Sequence, residues 1–510
     1  MADTKREREI ERKYDADAAG DLPDLRGVAG VADVIDKGVA DLDAVYYDTA
    51  DQRLATASIT LRRRTGGNDA GWHLKLPVPE IEGARDELHA PLSDGVPRAL
   101  IGLVRSRVRD ADLTPVVRLR SARDLRHLVD ADGTLLAEVS VDGVRADRLD
   151  GATATASWTE IEVELAPNGD PRLLDKVEKR LRKAGVRRST SKSKLARALA
   201  DTGTPPEAAA VPELRPDTAG AQVLAYLREQ RDALLELDPA VRQDLPDSVH
   251  QMRVATRRTR SAFKTYAKIL DRTVTDPIGE ELKWLAAELG VDRDREVLTE
   301  RLTAALTDVP RTLLLGPVRG RLRRWAVAGR AGSRRKTVAV LDSKRYLALL
   351  DSLDALLADP PLRKAAGAAV AEALPKAVLK DYDRLATRVG HALALDPGTD
   401  RDLAMHEARK AAKRARYAGE AATPALGKPA ARFAKRMKAV QKVLGDHQDS
   451  VVARGTLRDL AIQAHAAGES AFVWGLLYGR EEAVAATRER ELVGVWERAS
   501  RPKARAALGG

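Results

Sequence analysis

Glu9-Ile10-Glu11-Arg12-Lys13, close to the start of the chain, sets three ionised side chains two residues apart. On a strand these three share one face and Ile10 turns to the other. Working outward, the pattern recurs in Arg62 with Arg64, Arg85 with Glu87, Arg118 with Arg120, Glu138 with Asp142, and Glu160 with Glu162 and Glu164. Their off-phase neighbours include Leu61, Leu74, Leu76, Leu88, Val117, Leu119, Val139, Val141, Ile161 and Val163. Turn-forming stretches such as Thr65-Gly66-Gly67-Asn68 and Asp130-Ala131-Asp132-Gly133 punctuate the runs. A solvated sheet face would mix Lys, Ser, Thr and Gln, whereas these faces are dominated by Arg and Glu. The alternation predicts a closed barrel with a charged lumen and an apolar exterior covered by helices.

The chain has 510 residues, of which 44% are hydrophobic, 32% charged and 4% aromatic, enough for two domains with cores of their own. It has no cysteine, which excludes disulfides, thiolate nucleophiles and cysteine-held metal centres. A reducing cytoplasm is the expected compartment. No apolar run approaches the roughly 18 residues of a membrane span, and the charged residues 1–13 do not read as a secretion signal. Residues 1–200 carry 34 Lys and Arg against 35 Asp and Glu, while residues 201–510 carry 53 against 41. The basic second part calls for a polyanionic partner.

Strand-like alternation gives way to a helical pattern at residues 171–184 and ends near residue 200. Residues 205–216, rich in proline and alanine, read as a linker, which divides the chain into domains 1–204 and 217–505. The second domain is helical throughout and carries an internal repeat. His250, Arg253, Arg257, Arg258 and Arg260 recur 156 residues later as His406, Arg409, Lys413, Arg414 and Arg416. Lys283, Leu289-Gly290 and Asp294 recur 155 residues later as Lys438, Leu444-Gly445 and Asp449. Two tandem helical bundles related by duplication are the expected architecture.

In order along the chain, Glu9-x-Glu11-x-Lys13, Leu61-Arg62-Arg63-Arg64, Trp72-His73-Leu74-Lys75-Leu76-Pro77, Arg85-x-Glu87, Arg118-x-Arg120, Glu160-x-Glu162-x-Glu164 and Ser193-Lys194 resemble the CYTH superfamily, the triphosphate tunnel metalloenzymes. The resemblance covers residues 5–200. It implies an eight-stranded antiparallel β tunnel with flanking helices that binds a linear triphosphate and cleaves its terminal phosphoanhydride with divalent metal. Carried over by position, Lys13, Arg62, Arg64, Lys75, Arg85, Arg118, Arg120 and Lys194 grip phosphate oxygens, while Glu9, Glu11, Glu160 and Glu162 hold Mg2+ or Mn2+. The catalytic set is Glu9, Glu11, Lys13 and Glu162, with Glu11 or Glu162 activating the attacking water. Phosphoryl transfer asks for positioning, charge neutralisation and an oriented water, which these residue types supply without a nucleophilic side chain. Lys192 shares the parity of Lys194, and the resemblance alone selects Lys194. Arg12 and Arg63 are expected to face outward, and His73 to be a hydrogen-bonded lumen or rim residue.

At 100° per residue, His250, Arg253, Arg257, Arg260 and Lys264 fall within an arc of about 80° on one helix face. His406, Arg409, Lys413 and Arg416 repeat that arc, with Lys410 on its border. Like charges at such spacing repel, so the face needs carboxylates or a polyanion opposite. The pair resembles the conserved-histidine α-helical domain, CHAD, over residues 217–500, and the resemblance implies binding of inorganic polyphosphate. It adds His447, in Leu444-Gly445-Asp446-His447-Gln448-Asp449, to the binding set. Histidines among so many cations are expected to be neutral near pH 7. Three Phe, nine Tyr and six Trp in the whole chain leave little for base stacking, which argues against single-stranded nucleic acid.

The expected function is metal-dependent hydrolysis of inorganic triphosphate, with the helical domain holding polyphosphate, in association with polyphosphate granules. Hydrolysis or cyclisation of an organic triphosphate (thiamine triphosphate, ATP) and a non-catalytic polyphosphate adaptor are the alternatives.

Overall fold

The computed structural model describes residues 5–16, 22–78, 81–151, 154–203, 214–330 and 333–509. The chain divides into two compact units, residues 1–208 and 209–510. Residues 205–213 of the expected linker, with residue 204 before it, lie outside the described residues.

The first unit is a closed antiparallel barrel. Its strands are β1 (Lys5–Ala16), β2 (Asp33–Asp48), β3 (Thr60–Thr65), β4 (Gly71–Pro77), β5 (Ala84–Ala90), β6 (Thr114–Val129), β7 (Leu135–Arg148) and β8 (Thr155–Leu165). The order around the barrel is β5-β4-β3-β2-β6-β7-β8-β1, and β1 pairs back onto β5 to close it. A two-residue strand, Arg187–Arg188, adds to β1. Side-chain alternation and closure together fix one inward and one outward set.

Two groups of apolar outward positions are covered by helices. Leu61, Leu74 and Leu88 pack with Leu100, Leu103 and Val104 of the Arg98–Val108 helix. Val139, Ile161 and Val163 pack with Leu173, Leu174, Val177 and Leu181 of the Arg172–Lys183 helix. Each such leucine contributes roughly 1.5–3 kcal/mol on full burial.

One end of the barrel is stopped by the Lys194–Thr202 helix, whose N-terminus is capped by Ser193 accepting from the Ala196 amide. Leu195, Ala198 and Leu199 bury against Ala44, Tyr46, Val117, Leu119, Val144, Ala146 and Trp158. Arg197 reaches Asp15 on β1 at 2.8 Å and lies 5.0 Å from the Trp158 ring. On the opposite side Arg85 donates to the carbonyls of Ser58 and Lys192. The helix therefore packs against β6, β7 and β8 and reaches β1 through Arg197.

The second unit is helical among its described residues. The matched basic segments lie on the Ser248–Thr265 and Thr399–Leu426 helices, and both repeats share one large core, in which Met252 and Phe263 join Met405, Phe433 and Met437. A smaller core holds Leu298, Leu302, Leu457, Leu460, Trp474 and Leu477. The later matched segments differ in form. Lys438 to Asp449 lies within one 39-residue helix, Lys428–Ala466, whereas in the first repeat Arg272–Glu288 ends at Leu289 and a new helix, Gly290–Thr307, begins. No described helix is long and apolar enough to cross a membrane.

Candidate functional site

The barrel register decides which ionised residues meet. Glu11 pairs with Glu164 and Lys13 with Glu162 across β1 and β8, and Glu9 pairs with Arg85 across β1 and β5. Lys75 lies opposite Glu87, and Asp142 lies opposite both Arg123 and Glu160. These side chains converge on a tunnel cavity of about 840 Å³, lined among others by Glu9, Glu11, Lys13, Arg62, Arg64, Lys75, Arg85, Glu87, Arg123, Glu162, Glu164 and Lys194.

Two carboxylate groupings result. Glu9, Glu11 and Glu164 offer oxygens within 4.8 Å of one another. Lys75 binds Glu9, and Lys13 lies 3.1 Å from Glu11. Glu164 has no hydrogen bond or ion pair among the described residues. Burial pushes Glu9 up to about 9, with Glu87 and Glu164 adding to it and Lys75 opposing. Glu164 rises to about 7, burial again first and its carboxylate neighbours adding to it. On Glu11 burial is outweighed by Lys13 and Lys75, which hold its carboxyl below the ordinary value. Three close carboxylates are a donor set that suits a hard divalent cation.

Asp142, Glu160 and Glu162 form the second grouping, around Lys194. The ammonium lies 3.0, 2.8 and 2.7 Å from them in that order, and Arg123 adds a bidentate bond to Asp142 and one to Glu162. Burial acts first on Glu162, but Lys13, Lys194 and Arg123 outweigh it and hold the carboxyl well below its ordinary value. A carboxylate so held is a poor proton acceptor. The expected metal set Glu9, Glu11, Glu160 and Glu162 is thus divided between two groupings, with Glu164 completing the first and Asp142 the second.

Arg118 and Arg120 require correction. Inward positions on β6 are odd-numbered, so these two project outward, their side chains 46% and 50% exposed, and pair with Asp43 and Asp147 at 2.5 Å. Arg123 is the inward cation of that strand. Arg62 and Arg64 do enter the tunnel, Arg62 3.6 Å from Glu87 and Arg64 on Asp69 of the neighbouring turn. Lys194 is buried inside while Lys192 is exposed. Arg12 faces outward to Asp175 and Glu178. His73 Nδ1 lies 2.9 Å from Glu87, and burial lowers His73 to about 4, leaving it neutral near pH 7.

In the helical unit the two basic arcs meet at a cavity of about 630 Å³, lined by Arg257, Arg260 and Lys264 from one repeat and Lys410, Lys413, Arg414 and Tyr417 from the other. Arg384 and Arg388 of the Val370–Ala394 helix complete it; neither was singled out in the sequence. Arg257, Arg260, Lys264, Arg384, Arg388 and Lys413 make no ion pair among the described residues. Lys413 is pushed down to about 8 by burial first, then by Arg409 and Arg257. Unpaired cations gathered on one cleft set up a field that favours an anion.

The remaining expected residues do not line this cavity. Arg253 pairs with Asp294 at 3.0 Å and Arg409 with Asp449 at 3.5 Å, so the duplicated cations hold the duplicated carboxylates. Arg416 pairs with Glu420. His250 stands outside the lining. His406 Nδ1 donates to Gln448 Oε1, 2.6 Å away, and burial with nearby Lys410 and Arg409 lowers its pKa. His447 is corrected outright: it is fully buried and its Nε2 faces Asp402 and Glu489 at 3.3 and 3.4 Å, where no polyanion would sit. Of the first-repeat residues matched to this segment, the Asp292 side chain lies outside the described ones.

Comparison with known proteins places this geometry. Residues 7–199 match the CYTH domain model and residues 225–458 the CHAD domain model. Proteins from two Mycobacterium tuberculosis strains, MT2285 and Rv2226, are each 40% identical over 501 residues, covering 95% of this chain and 94% of theirs. Among solved structures, PptA from Streptomyces chartreusis is similar at 22% identity, with 55% of this chain and 99% of that one covered and a TM-score of 0.48. The CHAD domain of the plant Ricinus communis is similar at 27% identity, with coverages of 59% and 95% and a TM-score of 0.43. The chain belongs to the proteins that join a CYTH domain, the tunnel fold typical of triphosphate-hydrolysing metalloenzymes, to a CHAD domain.

Proposed function

We propose that the tunnel hydrolyses inorganic triphosphate with Mg2+ or Mn2+ and that the cationic cleft of the helical unit binds inorganic polyphosphate. The observation that carries the choice of substrate is the tunnel lining. Tyr46 is its only Phe, Tyr or Trp among the described residues, and its hydroxyl accepts from Arg62 at 3.4 Å. A nucleobase or thiazolium ring would find no stacking platform there, whereas a bare phosphate chain finds cations from several strands.

Glu9, Glu11 and Glu164 would hold the metal, whose chemistry is to neutralise phosphate oxygens and favour an ionised water. Arg62, Arg64, Lys75 and Arg85 orient the chain and absorb charge that develops on the leaving oxygen. Glu164, pushed up to about 7 by burial and its carboxylate neighbours, accepts the proton of the attacking water. The water oxygen bonds to the terminal phosphorus, the bridging P–O bond breaks, and orthophosphate and diphosphate leave. Because one end of the barrel is stopped, substrate enters and products leave by the same mouth, so only a chain terminus reaches the carboxylates. Polyphosphate held in the cleft would raise the local supply of such termini.

The test is phosphate release by the full chain from tripolyphosphate, ATP and thiamine triphosphate, with Mg2+, with Mn2+ and with EDTA. Metal-dependent turnover of tripolyphosphate above the other two, lost in Glu11→Gln, is the expected result. Equal or faster turnover of either organic triphosphate refutes the substrate choice.

A further inference from the structure

The two carboxylate groupings of the tunnel carry the same formal charge but are compensated differently. Around Asp142, Glu160 and Glu162 stand Lys194, Arg123 and Lys13, three cations for three anions. Their oxygens are all engaged. Both Asp142 oxygens take Arg123, and Oδ2 also meets Lys194 and Ser140. Glu160 Oε2 accepts from the Trp158 indole at 2.5 Å. Its Oε1 lacks a well-angled hydrogen bond but meets the Lys194 ammonium as an ion pair at 2.8 Å. Glu162 Oε1 meets Lys13 and Lys194, and Oε2 accepts from Arg123.

Glu9, Glu11 and Glu164 make two ion pairs between them, Lys75 with Glu9 and Lys13 with Glu11, while Arg85, Arg62 and Arg123 act on them from farther off; Lys13 also serves Glu162, and Lys75 stands 3.9 Å from Glu87. Glu164 makes no hydrogen bond or ion pair among the described residues, and Lys75 and Arg123 act on it only at longer range. Buried carboxylates without compensation are costly, so this grouping is the one short of a cation.

We infer that Lys194 is a resident counter-ion that occupies the Asp142–Glu160–Glu162 grouping, and that the tunnel accordingly takes one divalent ion, at Glu9, Glu11 and Glu164. The plug helix delivers this ammonium, since Lys194 is its first residue and is only 8% exposed. A tethered ammonium does for the deep grouping what a second metal ion does in sites that clamp a phosphate between two. The inference rests on the metal dependence proposed above and not on which phosphate is cleaved.

The test counts Mn2+ bound to the full chain without substrate, by the electron paramagnetic resonance of the free ion. One ion per wild-type chain is expected. Glu164→Gln weakens its binding at least tenfold, Glu160→Gln changes it less than threefold, and Lys194→Met binds two. Two ions or none in the wild type, or loss of the ion in Glu160→Gln, overturns the inference, as does a folded Lys194→Met that still binds one. Should Lys194→Met fail to fold by circular dichroism, the contrast between the two glutamate variants decides. One bound ion in a chain that leaves tripolyphosphate intact would refute the proposed activity and not this inference. Turnover accompanied by two bound ions would do the reverse.

Discussion

Polyphosphate binding should weaken between pH 7 and pH 9 because of Lys413. Its ammonium sits in the cleft at about 8, against an ordinary lysine near 10.4. Burial is the first cause of that depression, with Arg409 and Arg257 after it; a polyanion in the cleft offsets those two charges and attracts the ammonium itself, which raises the lysine toward the ordinary value. Binding is then coupled to proton uptake wherever the free lysine is neutral and the bound one charged. At pH 7 both are charged; at pH 9 about nine-tenths of the free form is neutral, so affinity falls about tenfold, or about 1.4 kcal/mol. Stability moves the other way. The folded pKa lies below the unfolded one, so the unfolded chain binds more protons from pH 8 to about 10.4 and stability of the unliganded protein rises with pH across that window. The assay is titration of labelled long-chain polyphosphate at fixed ionic strength, long enough that terminal phosphates are few. Lys413→Arg should flatten the profile to within about twofold while keeping the charge. A wild-type affinity unchanged from pH 7 to 9, or the same slope in Lys413→Arg, refutes the reasoning.

Arg118→Ala and Arg120→Ala should leave tripolyphosphate turnover within about twofold, because exposed ion pairs contribute little. Arg123→Met should instead lower the unfolding free energy by about 1.5–3 kcal/mol in urea melts, because it removes the bidentate bond to buried Asp142 and leaves Lys194 as that carboxylate's remaining cation; an unchanged melt contradicts its place there. Affinity of the cleft for polyphosphate should fall steeply with salt, by analogy with nucleic-acid backbones, and Arg384→Ala or Arg388→Ala should each reduce the slope of log affinity against log salt by about 0.7. Cyclic trimetaphosphate and polyphosphate blocked at both termini should resist hydrolysis under conditions that consume tripolyphosphate, and internal cleavage of blocked chains would show that the plugged end opens.

The barrel was legible because alternation is local: Glu9, Glu11 and Lys13 share a face whatever the register, and several strands repeating the pattern point to a charged interior. Alternation does not say which face is inside, and the rule that ionised means inward fails at the plugged end. There the Lys194–Thr202 helix makes the lumen apolar, so Val117 and Leu119 of β6 turn inward and Arg118 and Arg120 outward. The same inversion hid β2, where Leu42, Ala44 and Tyr46 face in while Asp43 faces out to Arg118. Its Asp-rich sequence carries none of the Arg and Glu blocks that marked the other strands.

In the helical unit the limit is tertiary rather than one of parity. Arg257, Arg260 and Lys264 could be placed on one arc because a helix fixes i, i+3 and i+4 neighbours by itself. Arg384 and Arg388 are also four apart, but what makes them part of the cleft is the packing of the Val370–Ala394 helix beside the Thr399–Leu426 helix. His447 shows the converse: its motif is as recognisable as that of His406, yet Asp402 and Glu489 arrive from two other helices to enclose it. Charge balance separates these cases where motif strength does not. Arg253, Arg409, Arg416 and His447 face carboxylates within the fold, while Arg257, Arg260, Lys264 and Lys413 find none to pair with among the described residues. The same accounting in the tunnel sets Glu164 apart from Glu160. In both units the residues left uncompensated by the fold are the ones that would give a ligand its binding energy.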